Sequence, residues 1–324
     1  MAAPPQRLEL NPATDSPMTT RLDAARLRGI FPALPTPVRA DDRVDADVAR
    51  KLMRHVLPAG IGGVVPIGGT GEYGALPSSE RVRMTAICAE EAAGKVPVIA
   101  GVLDPGFHDA LAAGRSFADA GAAALMVVTP YYTTPTQAGL RDYFLRYADA
   151  SPVPLLIYEI PYRTRIAIAP EVLHELSRHE NIIGMKACNT DLYHFLKVVA
   201  GIDAASFAVL SGEDTLFPVQ MAAGAKGGIV VTATLLPRTW QRLYELSRDG
   251  LAAEAMALHR ELIPLLDLAF AETNPGPLKS VLDLIGAASP RVLGPLLEPG
   301  ADLQGRLRSV LEGRLAAEAA LASA

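Results

Sequence analysis

The chain has 324 residues, of which 50% are hydrophobic and 20% charged, and its formal net charge is −5. An apolar content this high excludes a disordered chain, because disordered chains lack the apolar surface that offsets the entropy lost on ordering. The negative net charge gives no general attraction to a phosphate backbone, so no nucleic-acid partner is expected. No run approaches the roughly 18 uncharged apolar residues that a membrane-spanning helix needs, so no membrane association is expected either.

The first 20 residues contain four prolines and lack the apolar core of a secretory signal. We predict a flexible N-terminal extension over residues 1–28. The two cysteines, Cys88 and Cys188, match no metal-ligand spacing, and the six histidines form no metal-binding motif. Both cysteines are predicted to be small buried apolar residues, which favours a reducing, cytoplasmic location. Their spacing predicts no metal site, and no cofactor is expected.

Eight short apolar runs follow one another along the chain. They cover residues 29–38, 62–67, 97–102, 124–129, 154–160, 182–187, 207–211 and 227–233. Because these runs are nearly continuous in apolar residues, rather than alternating, they indicate a parallel sheet covered by helices.

The segments between these runs carry helix-start signals, such as Asp45, Pro77-Ser78-Ser79-Glu80, Thr136 and Pro170. Eight strands alternating with eight helices over ~210 residues are typical of a TIM (β/α)8 barrel. An open doubly wound sheet is the alternative, because periodicity alone does not close a barrel. We predict a barrel over residues 29–248 and, since no strand-like run follows Leu251, C-terminal helices packed on it over 249–324.

Lys186 is the most informative single residue in the sequence. A barrel carries its active residues at the C-terminal ends of its strands, and Lys186 lies near the end of the sixth apolar run, IIGMKA. The five other lysines fit helices, loops or strand entrances that solvent can reach. Burial disfavours a charged ammonium and favours the free amine that a Schiff-base nucleophile requires. A structural ion pair or a lysine reaching out to solvent is the alternative.

Tyr158 lies near the end of the fifth run and is therefore predicted to lie beside Lys186 if consecutive strands are neighbours, where its phenol could transfer protons. A tyrosine packed in the barrel core is the alternative. Strand alternation points the adjacent Glu159 to the opposite face, so we predict that Glu159 forms a structural salt bridge with a helix residue.

A glycine-rich loop follows the second run. Gly69-Thr70-Gly71-Glu72-Tyr73-Gly74 formally matches the dinucleotide pattern GxGxxG. It follows the second strand rather than the first, and the expected acidic residue comes about ten positions late. We therefore favour a backbone nest in which the amides of Gly69 and Thr70 face a small carboxylate. A merely tight turn is the alternative.

Four ordered motifs, GGTGEYGAL, TPYYTTPTQ, LLIYEIPYRT and IIGMKACN, together resemble the dihydrodipicolinate synthase/N-acetylneuraminate lyase superfamily over roughly residues 28–310. The resemblance implies a class I, metal-free lyase in which Lys186 forms an imine with pyruvate or another 2-oxo acid. It further implies that Tyr158 transfers protons and that the Gly69 and Thr70 amides hold the 2-oxo acid carboxylate.

The resemblance also implies roles for three further residues. Tyr132 matches a tyrosine that completes a neighbouring subunit's proton relay, which implies a homodimer or homotetramer. Arg163 matches the arginine that binds the carboxylate of the second substrate, an aldehyde, and guanidinium geometry suits that role. Ile229 matches a residue that lines the imine pocket.

Three positions depart from the synthase pattern. Gly69 stands where synthases usually carry a threonine whose hydroxyl links the two tyrosines, and GGTGE is closer to dehydratases of keto-deoxy sugar acids. Tyr162 replaces a small residue and Arg165 a glycine. No lysine feedback site is recognisable.

The leading hypothesis is condensation of pyruvate with aspartate semialdehyde, as in 4-hydroxy-tetrahydrodipicolinate (dihydrodipicolinate) synthase. An aldolase or dehydratase of a sugar-derived 2-oxo acid is the alternative within the class. A dinucleotide-dependent oxidoreductase, resting on the glycine loop, and a noncatalytic 2-oxo acid sensor are the alternatives from other classes.

Overall fold

A computed structural model describes residues 21–322, and these contain one parallel sheet of seven strands. The strands are β1 (Gly29–Pro32), β2 (Ile99–Val102), β3 (Ala124–Val128), β4 (Leu155–Glu159), β5 (Ile182–Ala187), β6 (Ala208–Ser211) and β7 (Gly227–Val230). Their order is β1-β7-β6-β5-β4-β3-β2, which leaves β1 and β2 as the two nominal edges. Every strand residue is buried, as expected for a parallel sheet covered on both faces.

The segment over residues 62–67 closes this sheet into a barrel. Val65 donates its amide to the Pro32 carbonyl of β1 at 3.0 Å, and Val64 accepts from the Ile99 amide of β2 at 2.9 Å. The two nominal edges therefore share one connecting segment, which makes the fold a TIM barrel with C-terminal helices rather than an open sheet.

The prediction of a full strand over residues 62–67 is wrong, since only Val64 and Val65 form bridges there. Pro66 has no amide to donate to a ladder. A Cβ built on Gly63 would lie 2.7 Å from the Pro97 carbonyl oxygen, so glycine is needed where the segment approaches its neighbour. The eighth position of the barrel is thus occupied by a short bridge.

Helices follow every strand position of the barrel. They are α1 (Ala46–Val56), α2 (Ser78–Ala92), α3 (Phe107–Asp119), α4 (Gln137–Ala150), α5 (Pro161–Thr164), α6 (Pro170–Leu176), α7 (Leu192–Ala200), α8 (Phe217–Ala222), α9 (Pro237–Arg248), α10 (Ala252–Ala269), α11 (Gly276–Lys279) and α12 (Ala301–Ala320). The predicted start signals are confirmed: the side chains of Asp45 and Thr136 cap α1 and α4, and Pro170 opens α6. None of these helices is both long and apolar enough to cross a membrane.

The C-terminal helix α12 is docked onto the barrel through one buried carboxylate. Glu318 accepts hydrogen bonds from the amides of Arg238 and Thr239, both at 2.8 Å, and from the Thr239 hydroxyl at 2.7 Å. These donors lie in the first turn of α9, so Glu318 satisfies amides that have no partner within that helix. No strand follows Leu251 within the described residues, in agreement with the sequence prediction.

The predicted flexible extension over residues 1–28 is too long at its C-terminal end. Residues 1–20 lie outside the described part of the chain, but from Arg21 onward the segment is packed. Leu22 and Leu27 are buried, and the Arg21 guanidinium donates to the side chain of Asn181. The spacing of two leucines gave no periodic signal that could have predicted this packing.

Candidate active site

A cavity of about 730 Å³ opens at the C-terminal ends of the strands. Five of the seven predicted site residues line it: Gly69, Thr70, Tyr158, Arg163 and Lys186. They come from three separate parts of the chain, and the closed barrel brings them together. This is the mouth where TIM barrels place their reactive groups.

Lys186 and Tyr158 are direct neighbours across β5 and β4. The two residues are paired in register, both are buried, and the Lys186 Nζ lies 4.7 Å from the centroid of the Tyr158 ring. Burial raises the pKa of Tyr158 well above its ordinary value. The phenol therefore stays protonated near neutral pH, as a proton donor must.

The expectation that solvent reaches all five other lysines is wrong for Lys279. This residue of α11 is 1% exposed, and its Nζ donates to Glu72 Oε1 at 2.7 Å and to the Thr36 carbonyl at 2.9 Å. Because these partners occupy the Nζ, Lys279 is a structural cation and Lys186 is the buried lysine that faces the cavity. Burial lowers the pKa of Lys279, and Glu72 opposes that shift.

The glycine-rich loop forms one wall of the cavity. The amides of Gly69 and Thr70 have no hydrogen-bond acceptor among the described residues, as a backbone nest requires. A Cβ on Gly71 would lie 2.6 Å from the Ile67 Cα, so only glycine permits this turn. The Thr70 hydroxyl accepts from the Asn274 side chain at 2.9 Å, which links the loop to the segment before α11.

Arg163 lies in α5, directly after β4, on the same side of the cavity as the loop. A Cβ built on Gly69 would lie 3.9 Å from Arg163 Nη1, its nearest neighbour. Tyr162 also lines the cavity and is half exposed. Arg165 follows α5 as its C-cap at φ +63°, the left-handed region that favours glycine, so a glycine at this position would relieve backbone strain.

The prediction for Glu159 is confirmed. Its side chain is fully buried on the face opposite Tyr158, where Oε1 lies 3.3 Å from the His194 Nε2 of α7. The same oxygen accepts from the Ile168 amide at 3.0 Å. The Glu159 carboxylate raises the pKa of His194, and the pair links the end of β4 to α7.

Two predicted site residues lie outside the cavity of this chain. Tyr132 is 98% exposed and adopts φ +72°, so its side chain points into solvent rather than toward Lys186. Ile229 is fully buried within β7 and does not line the cavity. The chain leaves the strand after Val230, so Val231 takes the position at the mouth.

Sequence reasoning missed Glu213 and Asp214, which follow β6 and line the cavity. Asp214 accepts from the amides of Val231 and Thr232 and from the Thr232 hydroxyl, all within 2.9 Å, and so holds the β7 end. Burial raises the pKa of Glu213 to about 7. The acidic pair one residue after the apolar run FAVLS was the signal available in the sequence.

Both cysteines are free and buried, as predicted, although Cys188 also contributes to the cavity wall. Within residues 21–322 no group of three or more His, Cys, Asp or Glu side chains is arranged to hold a metal ion. The side chains at the mouth include an amine, a guanidinium, two phenols and several carboxyl groups.

Fold and site together define a TIM-barrel enzyme with a buried lysine and tyrosine at its mouth. The model of the dihydrodipicolinate synthetase family matches residues 26–313. The chain belongs to this family of lyases.

Individual relatives agree with this assignment. The chain is 35% identical over 285 residues to a 4-hydroxy-tetrahydrodipicolinate synthase from Methanospirillum hungatei, covering 87% of this chain and 98% of the relative. A crystal structure of dihydrodipicolinate synthase from Aquifex aeolicus superimposes with a TM-score of 0.85 at 32% identity, covering 89% and 98% of the two chains. A monomeric dihydrodipicolinate synthase variant gives a TM-score of 0.86 at 28% identity, covering 95% and 100%.

Proposed function

We propose that this chain is a Schiff-base lyase that condenses pyruvate with aspartate semialdehyde, as a 4-hydroxy-tetrahydrodipicolinate synthase. The observation that carries the proposal is the buried Lys186 beside Tyr158 in a cavity that also holds Arg163 and two free amides. Similarity to relatives with this name over nearly their whole length supports the choice of second substrate.

The first step joins pyruvate to Lys186. The amine attacks the keto carbon, a C–N bond forms, and water leaves to give the imine. The amides of Gly69 and Thr70 bind the pyruvate carboxylate, since two unpartnered N–H groups suit an anion. Tyr158 donates the proton that the departing oxygen needs.

The second step joins the aldehyde. Loss of a methyl proton converts the imine to an enamine, whose carbon attacks the aldehyde carbon and forms the C–C bond. Arg163 binds the aldehyde's carboxylate with a bidentate guanidinium contact. The substrate amine then displaces Lys186 and closes the ring, which returns the free enzyme.

The exposure and backbone conformation of Tyr132 support an oligomeric enzyme. In the isolated chain, the Tyr132 side chain is 98% exposed and makes no packing contact that offsets the strain of its left-handed backbone conformation. We propose that it enters the site of a neighbouring copy in a homodimer or homotetramer. Sedimentation velocity combined with the activity of Tyr132→Phe tests this, because loss of activity without loss of assembly is expected.

A second candidate is an aldolase or dehydratase of a sugar-derived 2-oxo acid, favoured by Gly69, which has no hydroxyl to relay a proton. Pyruvate consumption with aspartate semialdehyde, set against cleavage and dehydration of 2-oxo sugar acids, separates the two. We expect turnover with aspartate semialdehyde to exceed that with every sugar acid. The reverse order would replace the proposed substrate.

A further inference from the structure

Gly212 allows the chain after β6 to pass close to Lys186, and Glu213 follows it directly. A Cβ on Gly212 would lie 3.0 Å from the Lys186 Cγ and closer still to the Cys188 sulfur. Glycine thus lets the chain after β6 pass directly over Lys186, and the next side chain, Glu213, enters the cavity.

The Glu213 carboxyl has an unused acceptor. Its Oε1 is shielded from solvent and has no hydrogen-bond partner among the described residues. It also forms no salt bridge with any described lysine or arginine. The adjacent Asp214, by contrast, has three donors that hold it. A buried carboxylate oxygen without a donor costs free energy unless a ligand supplies one.

The groups around Glu213 determine the pKa of its carboxyl group. Burial is the main cause that raises the pKa of its carboxyl to about 7, and the Asp214 carboxylate adds to it. Lys186, Cys188 and Tyr162 oppose this shift. Tyr158 and Arg163 from the β4 side, and Asp267 and Glu272 from the C-terminal side, complete the charged and titratable groups that line the cavity.

We propose that Glu213 is a specificity residue that binds the amino group of the second substrate. The inference rests on the proposed function, in which that substrate is an α-amino acid aldehyde. Such a molecule carries an anionic and a cationic group on one carbon, and Arg163 lines the same cavity to receive the carboxylate. The unpartnered Glu213 oxygen is an acceptor of opposite charge for the ammonium group, and a charge-assisted hydrogen bond satisfies both.

A pH dependence follows from this binding. Below about pH 7 Glu213 is protonated and neutral, and its attraction for an ammonium group is lost. Above that pH it is a carboxylate, and the attraction is present. The KM for aspartate semialdehyde is therefore expected to fall as the pH rises from 6 to 8, and this slope should disappear in Glu213→Gln.

The test compares two ligands that differ only in the amino group. For wild type and Glu213→Gln, one measures the KM for aspartate semialdehyde and the inhibition constant of succinate semialdehyde, which lacks the amine. We expect the KM to rise at least tenfold and the inhibition constant to change less than twofold. Glu180→Gln, an exposed carboxylate remote from the cavity, is the matched control and should change neither. Circular dichroism verifies that each variant is folded.

Equal changes for both ligands, or no change for either, would overturn the role of Glu213 while leaving the proposed function intact. Failure of the wild type to use aspartate semialdehyde would overturn both. Borohydride trapping of pyruvate on Glu213→Gln separates these cases further, because imine formation at Lys186 does not need the amino-group contact and should persist.

Discussion

Gly69 leaves room beside Arg163 that a larger side chain can use. The nearest atom to an added Cβ is the Arg163 Nη1 at 3.9 Å, an ordinary van der Waals contact, and the backbone at Gly69 is not in the left-handed region. Its conformation therefore tolerates a β-branched residue, unlike that of Gly71, where the Ile67 backbone is too close. The absence of a hydroxyl at Gly69 is a chemical difference and not a steric necessity.

We predict that Gly69→Thr folds normally and raises kcat for pyruvate condensation by up to about tenfold, because the new hydroxyl can relay a proton. Steady-state kinetics and a thermal melt check this. Gly69→Ala adds the same Cβ without the hydroxyl and should leave kcat near the wild-type value. An equal gain in both variants would show that reduced backbone freedom, and not proton transfer, is responsible.

A buried ion pair joins the glycine-rich loop of the site to the C-terminal helices. Glu72 in the glycine loop binds Lys279 of α11 and also accepts from the Leu293 amide, so one carboxylate connects the loop to the C-terminal segment. Both side chains of the pair are fully buried. Sequence reasoning did not find this pair, because 207 positions separate its members and nothing local marks either as buried.

Removing one member of a buried ion pair leaves the other charge buried without a partner. We predict that Lys279→Met lowers the free energy of unfolding by about 3–5 kcal/mol. Urea unfolding followed by the fluorescence of Trp240, the single tryptophan and fully buried, measures this. The double variant Glu72→Gln with Lys279→Met should recover part of the loss.

The matched control for this prediction is Lys226→Met, which removes an exposed lysine. Its unfolding free energy should stay within about 0.5 kcal/mol of the wild type. If Lys279→Met were as stable as this control, the buried pair would not connect the loop to the C-terminal helices in the way described above.

For the molecule as a whole, the barrel and five of the residues that line the cavity could be predicted from sequence. Apolar runs and helix-start residues such as Asp45 and Thr136 are local signals, and they predict the alternation of strands and helices but not the closure of the sheet. The short bridge at Val64 and Val65 and the packing of Leu27 were not predictable. Each depends on a contact between distant segments, which periodicity does not encode.

The proposed reaction depends on one covalent bond, the imine between pyruvate and the Lys186 Nζ. Lys197 offers a matched control, because its Nζ also lies over a tyrosine ring, at 4.8 Å from the Tyr193 centroid, but on the exposed surface of α7. Two lysines with similar aromatic neighbours thus differ in burial and in access to the cavity.

Treatment with pyruvate and borohydride, followed by peptide mapping by mass spectrometry, tests this bond most directly. We predict one reduced pyruvate adduct, located on Lys186, retained in Lys197→Ala and absent in Lys186→Arg. An adduct on another lysine, such as Lys279, or no adduct in the wild type, would contradict the assignment of Lys186 as the Schiff-base nucleophile.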